Sequence, residues 1–312
     1  MQNNLKVFAF LAVVFAHVGY FIFSDHSIFS PFSNYGGVAV NIFYFLSAYG
    51  LSLSIIKWKG NLKGYYNKRL QTIVPSIWLM LIVFFVLDFV WHGHVYGFGY
   101  MIQSFLLWYP TSNLFLDINS PLWYITPLII YYLTFPFFYR EGKPWLSSFI
   151  FLIFGYLISK THLIGTLFSL HYLAFPLGIL WAHYAPQFNL FFKHQTKLFK
   201  IVFPILLFIF IAVTGIYSGV GTFYEQFLSC ITMTVIVIFF DIVPIRSKIL
   251  TILGAYSFEI YLLHWPLMSR FDIFYNLHSL PWLWLLVWII ALMGISELFK
   301  RVIAMICYNP QS

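Results

Sequence analysis

The stretch QTIVPSIWLMLIVFFVLDFVW, residues 71–91, contains a single charged residue, Asp88. A helix needs about 20 mostly apolar residues to cross a bilayer, so this stretch predicts a membrane-spanning helix. Nine further segments are similarly apolar, at 5–24, 36–56, 120–139, 145–159, 163–184, 201–218, 224–243, 249–269 and 281–299. The sequence therefore predicts an all-α polytopic membrane protein with about ten transmembrane helices.

The composition of the 312 residues excludes a soluble globular protein. Hydrophobic residues make up 61% of the chain and charged residues only 8%, whereas soluble proteins have roughly 45–50% and about 25%. Too few charges are present to cover a water-facing surface. We therefore predict one transmembrane domain over residues 1–312, with no appended extramembrane domain.

The basic residues indicate topology and not nucleic-acid binding. The net charge is +8, but the Lys and Arg residues are scattered between apolar runs and not gathered on one face. With the N-terminus inside, only Lys160 and Arg270 of the 17 Lys and Arg residues fall outside. This excess of positive charge on one side predicts that both termini are cytoplasmic. Two histidines, His92 and His94, have no third ligand nearby, so we expect no metal site.

Ionisable residues inside a bilayer are costly and often functional. His17 lies 11 residues beyond Lys6, which is about 16 Å along a helix and places it near mid-membrane or beyond. Its imidazole could act as a general base or an acyl carrier. A neutral histidine bonded to a neighbouring helix explains the position equally well. Three more such residues, Asp88, Asp241 and Glu297, lie near predicted span ends, and we interpret them as structural.

A second polar group lies late in the chain. Ser257, Tyr261 and His264 share one face of a helix because they are spaced by four and three residues. The stripe could line a cavity or form a hydrogen-bonded seam between helices. Lys68 and Arg69 end a basic loop that begins at Lys57. That loop could be an ordinary topology determinant or a site for the phosphates of a nucleotide cofactor.

These residues belong to a series of motifs spread along the chain. In order, they are Lys6 followed after ten residues by His17, GVAVNIFYFLSA at 37–48, KRLQTIVP at 68–75, PLWY at 121–124 and SFEIYLLHWP at 257–266. Together they resemble the acyltransferase-3 family of membrane acyltransferases, which chiefly O-acetylate bacterial cell-surface polysaccharides. The resemblance covers nearly the whole chain.

The resemblance implies an O-acetyltransferase of the bacterial inner (cell) membrane that uses acetyl-CoA and no metal. Its acceptor would be a polysaccharide or lipid-linked glycan. His17 would be the acyl acceptor or the general base. Beyond the resemblance, we infer that His264 is a second catalytic residue, which binds the acceptor or handles the second proton transfer. The acetyl-CoA phosphates would bind near Lys6, Lys68 and Arg69, and the substrate near Asn41, Trp123, Ser257 and Tyr261. No hydrolase-like domain is expected after the last span, so the acetyl group would pass directly to the acceptor.

The sequence also departs from the family pattern. Asn41 replaces the Asp of the second-helix motif, Thr72 replaces an Arg of the third-helix motif, and the stretch after Trp123 lacks the Glu of many members. Because of these departures, a catalytically inactive scaffold protein is an alternative interpretation. A proton-coupled transporter of a small or lipid-linked substrate, with His17 and His264 as relay groups, is a further alternative, although the chain shows no repeated half.

Overall fold

A computed structural model describes residues 1–21, 34–110, 113, 117–161, 164–217, 224–243, 245–271 and 281–307. Within these ranges every regular element is helical. The α-helices are α1 Gln2–Phe21, α2 Gly36–Ser54, α3 Leu62–His92, α4 Phe98–Phe105, α5 Ile125–Phe138, α6 Pro144–Ser159, α7 Ala174–Lys193, α8 Lys197–Tyr217, α9 Glu225–Ile242, α10 Lys248–Ala255, α11 Ser257–Ser269 and α12 Pro281–Cys307. Short 3₁₀ segments occupy Ile55–Trp58, Ser120–Tyr124 and Thr166–Leu170. The all-α prediction is confirmed for this part of the chain.

Several helical segments are long and apolar enough to cross a membrane. In the described ranges they number five: Gly36–Trp58, Leu62–His92, Ser120–Phe138, Lys197–Gly215 and Glu225–Ile242. Two shorter apolar helices cover Gln2–Val18 and Pro144–Ser159. The count of ten spans and the cytoplasmic termini stay predictions. The predicted span ends at 22–24, 163 and 218 lie outside the described residues.

The third helix begins nine residues before the predicted span, so Lys68 and Arg69 lie on a helix and not in a loop. α3 starts at Leu62, and the Asn61 side chain caps it by accepting a hydrogen bond from the Gly64 backbone N–H at 2.8 Å. Lys and Arg are good helix formers. A hydropathy profile detects only the apolar part of a helix and does not show that the helix begins earlier. Only the apolar part of α3 was therefore visible as a span.

Two other predicted spans are interrupted. Residues 249–269 form α10 and α11, separated at Tyr256, whose φ of −102° and ψ of 2° leave the helical region. Residues 163–184 contain the 3₁₀ segment Thr166–Leu170, and α7 starts only at Ala174 and continues to Lys193. Hydropathy reports whether a stretch is apolar and does not detect a break of one to three residues. The second break contains His171.

The chain forms two compact units, which are described separately. The first comprises residues 1–57, 137–161 and 166–255, and therefore holds α1, α2 and α6–α10. The second comprises residues 58–136, 162–165 and 256–312, with α3, α4, most of α5, α11 and α12. The assignment of residues 1–312 to one transmembrane domain stays a prediction.

In the first unit, α2 packs closely against α7. A Cβ at Gly178 would lie 2.3 Å from the Phe45 carbonyl oxygen and 2.9 Å from the Ala48 Cβ. Only glycine permits this approach of the two backbones. In the same unit, the Asn4 Nδ2 donates to the Ile245 carbonyl at 3.1 Å and ties the start of α1 to the chain after α9.

The predicted topology can be tested by cysteine labelling. Because positive charges concentrate on the cytoplasmic side, Leu62→Cys should react with a membrane-impermeant thiol reagent only from the cytoplasm. His94→Cys, beyond the other end of α3, should react only from outside. The reverse pattern at either position would contradict the predicted orientation. The residues expected to bind acetyl-CoA would then face the other side of the membrane.

Candidate active site

A buried polar cluster lies near the beginning of α2, in the first unit. Asn41 is fully buried, and its Nδ2 donates to the Ser229 Oγ of α9 at 2.9 Å. Its Oδ1 lies 3.0 Å from the Nδ1 of His171, which precedes α7. An amide oxygen can only accept a hydrogen bond, so His171 carries its proton on Nδ1.

A carboxylate joins this cluster beside Gly37. A Cβ at Gly37 would lie 3.0 Å from the Glu225 Oε1 and 3.5 Å from the His171 Cε1. Both side chains are buried, with exposed fractions of 2% for Glu225 and 3% for His171. The absence of a side chain at Gly37 thus leaves room for a carboxylate and an imidazole against the first turn of α2. Such a pair can bind or transfer a proton.

His17 belongs to the same end of the first unit. A Cβ at Gly36 would lie 3.1 Å from the Ala16 Cβ, so the second half of α1 runs directly beside the start of α2. His17 follows Ala16 and is partly exposed. The structure therefore places two of the predicted site residues, His17 and Asn41, at one end of this unit. Lys6 lies three helical turns away from His17 on α1, at the other end.

The predicted stripe on α11 is observed in the second unit, where it is largely bonded to backbone. Tyr261 and His264 are both buried. The Tyr261 hydroxyl donates to the Pro121 carbonyl, and the His264 Nδ1 donates to the Tyr261 carbonyl at 2.7 Å. Ser257 is the first residue of the same helix. The Tyr261 bond links α11 to the 3₁₀ segment Ser120–Tyr124, whereas the His264 bond stays within α11. A role of the stripe in acceptor binding stays a prediction.

The remaining predicted site residues also fall in the second unit. Lys68 is exposed on α3, and the Arg69 guanidinium lies 5.8 Å from the centre of the Tyr65 ring. Trp123 is partly exposed in the 3₁₀ segment Ser120–Tyr124. In the part of the chain that the structure describes, no group of three or more His, Cys, Asp or Glu side chains could hold a metal ion.

Asp88 is a buried carboxylate whose position is explained by an ion pair. Its Oδ2 lies 2.7 Å from the Arg270 Nη1 and accepts a hydrogen bond from the Tyr96 hydroxyl. Asp88 is fully buried. Arg270 also donates to the Asp117 carbonyl at 3.2 Å, and partial burial raises the pKa of the Asp117 carboxyl above its ordinary value. The cluster ties α3 to the residue that follows α11.

The sequence reasoning missed His171, Glu225 and Ser229. A usable signal existed for two of them, because His171 lies inside the predicted span 163–184 and Glu225 at the start of 224–243. The argument that selected His17, an ionisable group in an apolar segment, applies equally to both. Ser229 carried no such signal, since serine is common in membrane helices.

Loss of the Asn41 hydrogen bonds should destabilise the protein. Asn41→Leu fills the same space but leaves the His171 N–H and the Ser229 hydroxyl without this partner, and we expect a loss of about 2–4 kcal/mol in unfolding free energy. Asn41→Asp, the family residue, keeps an acceptor for His171 and should lose less. Thermal melting in detergent measures both. Equal melting temperatures for Asn41→Leu and wild type would show that these bonds do not hold α2.

Comparison with known proteins identifies the family of this chain. A sequence model of a protein family, described as an acyltransferase domain, matches residues 3–296. The acyltransferase MdmB of Streptomyces mycarofaciens is 27% identical over 153 residues, which cover 44% of this chain and 38% of MdmB. The matched stretch thus spans less than half of that relative. No solved structure matches the chain.

The family match includes α1 with His17, α2 with Asn41 and the segments that carry His171 and Glu225. It also extends through the motif that contains His264. The match covers nearly the whole chain and agrees with the motifs read from the sequence. This helical membrane protein therefore belongs to the acyltransferase-3 family.

Proposed function

We propose that this protein transfers an acetyl group from cytoplasmic acetyl-CoA to a hydroxyl of a cell-surface or lipid-linked polysaccharide. Its location would be the bacterial inner (cell) membrane, with several spans. The observation that carries the proposal is the placement of His17 beside the start of α2, where Asn41, His171 and Glu225 cluster, in a chain of the acyltransferase family. Histidine and carboxylate side chains can act as the general base that removes the proton of an acceptor hydroxyl.

The reaction forms an ester C–O bond and breaks the thioester C–S bond. In one route, His17 takes the proton of the acceptor hydroxyl as its oxygen attacks the thioester carbonyl, and returns the proton to the departing thiolate. In the other, His17 itself attacks the thioester, and the imidazole N–H proton passes to the departing thiolate. The acceptor hydroxyl then displaces the acetyl group from the imidazole, which takes the hydroxyl proton. Both routes require His17 and release coenzyme A as its thiol.

The buried cluster would hold the site in a reactive arrangement. Asn41 bonds to α9 and to the segment before α7 at once, and a fully satisfied buried network restricts the helices that contribute to it. A hydroxyl that approaches this end of the unit would meet partners of fixed position. Preorganisation of this kind lowers the cost of reaching the transition state.

The proposed role of Arg69 predicts a change in acetyl-CoA binding that can be measured separately from catalysis. Arg69→Ala should weaken acetyl-CoA binding by about tenfold, because a guanidinium suits phosphate, and the difference should shrink at high salt as screening grows. Calorimetry of the purified protein measures it. Lys63→Ala removes one cation from the same helix and serves as the control. Equal affinities of Arg69→Ala and wild type would show that the basic pair Lys68 and Arg69 determines topology only and does not bind acetyl-CoA.

The acceptor can be tested in cells. Mass spectrometry of surface polysaccharides should show an acetyl group in wild type that is missing after deletion of the gene. Expression of the wild-type protein should restore it, whereas His17→Ala should not. Glycans that are identical with and without the gene would contradict the proposed acceptor. Export of an unmodified substrate in a His17-dependent way would favour the transporter instead.

A further inference from the structure

The helices α2 and α9 face each other in register in the first unit. The Asn41 Nδ2 donates to the Ser229 Oγ at 2.9 Å. One turn earlier on both helices, a Cβ at Gly37 would lie 3.0 Å from the Glu225 Oε1. Residues 37 and 41 share one face of α2, and residues 225 and 229 share one face of α9, because each pair is four residues apart. Glu225 is therefore held one helical turn away from the position of Asn41.

The imidazole of His171 adjoins both of these positions. Its Nδ1 lies 3.0 Å from the Asn41 Oδ1, and its Cε1 would lie 3.5 Å from a Cβ at Gly37. A carboxylate at residue 41, as in the family motif, and the carboxylate at residue 225 would thus border the same imidazole. Asn41 cannot carry a negative charge, because an amide side chain does not ionise. Glu225 can carry one, and neither proposed route gives it a role.

The position of Glu225 in the fold favours its ionised form. Glu225 is the first residue of α9, and its Oε1 lies against the first turn of α2 at Gly37. The backbone N–H groups of a first helical turn have no partner within the helix, and the helix dipole places partial positive charge there. Two helix starts therefore stabilise a negative charge on this side chain. Because Glu225 is almost fully buried, little water screens that charge.

We infer that Glu225 supplies the negative charge that the family motif carries at residue 41, and that acetyl transfer depends on this charge. The inference rests on the proposed function. In both proposed routes His17 gains positive charge, either when it takes the hydroxyl proton or when it attacks the thioester, and the preceding Ala16 lies against Gly36. A fixed carboxylate at the same end of the unit stabilises that positive charge. Glu225 itself neither gains nor loses a proton, so the proton still passes through His17 to the thiolate.

The test moves the carboxylate from one helix to the other. Initial rates of transfer from labelled acetyl-CoA are measured in sealed inside-out membrane vesicles. Glu225→Gln keeps the shape of the side chain and removes its charge, so it should lower kcat by about 10- to 100-fold and leave KM for acetyl-CoA within about twofold of wild type. Asn41→Asp/Glu225→Gln restores a carboxylate beside His171 and should recover at least about a third of the wild-type kcat.

A matched control removes a carboxylate outside the cluster. Glu141 is exposed between α5 and α6 in the same unit, and Glu141→Gln should keep the wild-type kcat. A wild-type kcat for Glu225→Gln would overturn the role of Glu225 and leave the proposed function intact. A double variant no more active than Glu225→Gln would overturn the role too, because a charge at residue 41 would then not replace the one at residue 225. Absence of transfer by the wild-type protein would overturn the proposed function and this role together.

Discussion

His17→Ala should lower acetyl transfer by at least about 100-fold, because general base catalysis alone contributes roughly 10²–10⁴-fold. His17 is partly exposed and follows Ala16, which lies against the first turn of α2. Removal of its imidazole deletes the proton carrier in one route and the acyl carrier in the other. Membrane insertion and coenzyme A binding should stay near normal, since His17 is not among the residues proposed to bind the phosphates of coenzyme A. Initial rates with labelled acetyl-CoA measure the loss.

A matched control is available in the same unit. His183 is exposed on α7, so His183→Ala removes an imidazole of the same kind outside the cluster and should keep its activity. If His17→Ala retained more than about a tenth of the wild-type rate, neither a base nor a carrier role for His17 could stand.

Asp88→Ala should destabilise the second unit by about 3–5 kcal/mol, the usual cost of removing one partner of a buried ion pair. The substitution leaves Arg270, whose side chain is only 16% exposed, without its carboxylate partner. It also deprives the Tyr96 hydroxyl of its acceptor. A lower melting temperature and reduced protein in the membrane are the expected readouts.

The pair Asp88→Leu/Arg270→Met should recover part of this loss, because replacing a buried ion pair by apolar residues removes the stranded charge. Arg301→Ala is the control: it breaks an exposed pair with Glu297 on α12, and exposed pairs contribute little. A melting temperature of Asp88→Ala as high as that of Arg301→Ala would show that the Asp88 ion pair does not stabilise the unit.

Much of the fold could be predicted because the bilayer limits what a chain can do. Only helices satisfy every backbone polar group within a single segment in hydrocarbon, so α2 and α9 lie close to their predicted spans. The start of α3 and the break at Tyr256 were missed for a common reason. Hydropathy measures how apolar a stretch is, whereas the start of α3 depends on a cap at Asn61 and the break at Tyr256 is a single non-helical residue in an apolar stretch.

The candidate site was predictable only in part. His17 and Asn41 were found because they belong to local motifs, and both lie at one end of the first unit. His171 and Glu225 join Asn41 from segments more than 100 residues away. Spacing along the chain cannot reveal such a cluster, because it arises from the packing of α2 with α7 and α9.

The central claim, acetyl transfer from acetyl-CoA with His17 as the essential group, can be measured directly in sealed inside-out membrane vesicles. Labelled acetyl-CoA is supplied on the exposed cytoplasmic face, and the label in the polysaccharide or lipid-linked glycan fraction is followed with time. The account predicts label in vesicles with the wild-type protein and at least about 100-fold less with His17→Ala. Equal incorporation in wild-type, His17→Ala and protein-free vesicles would contradict it.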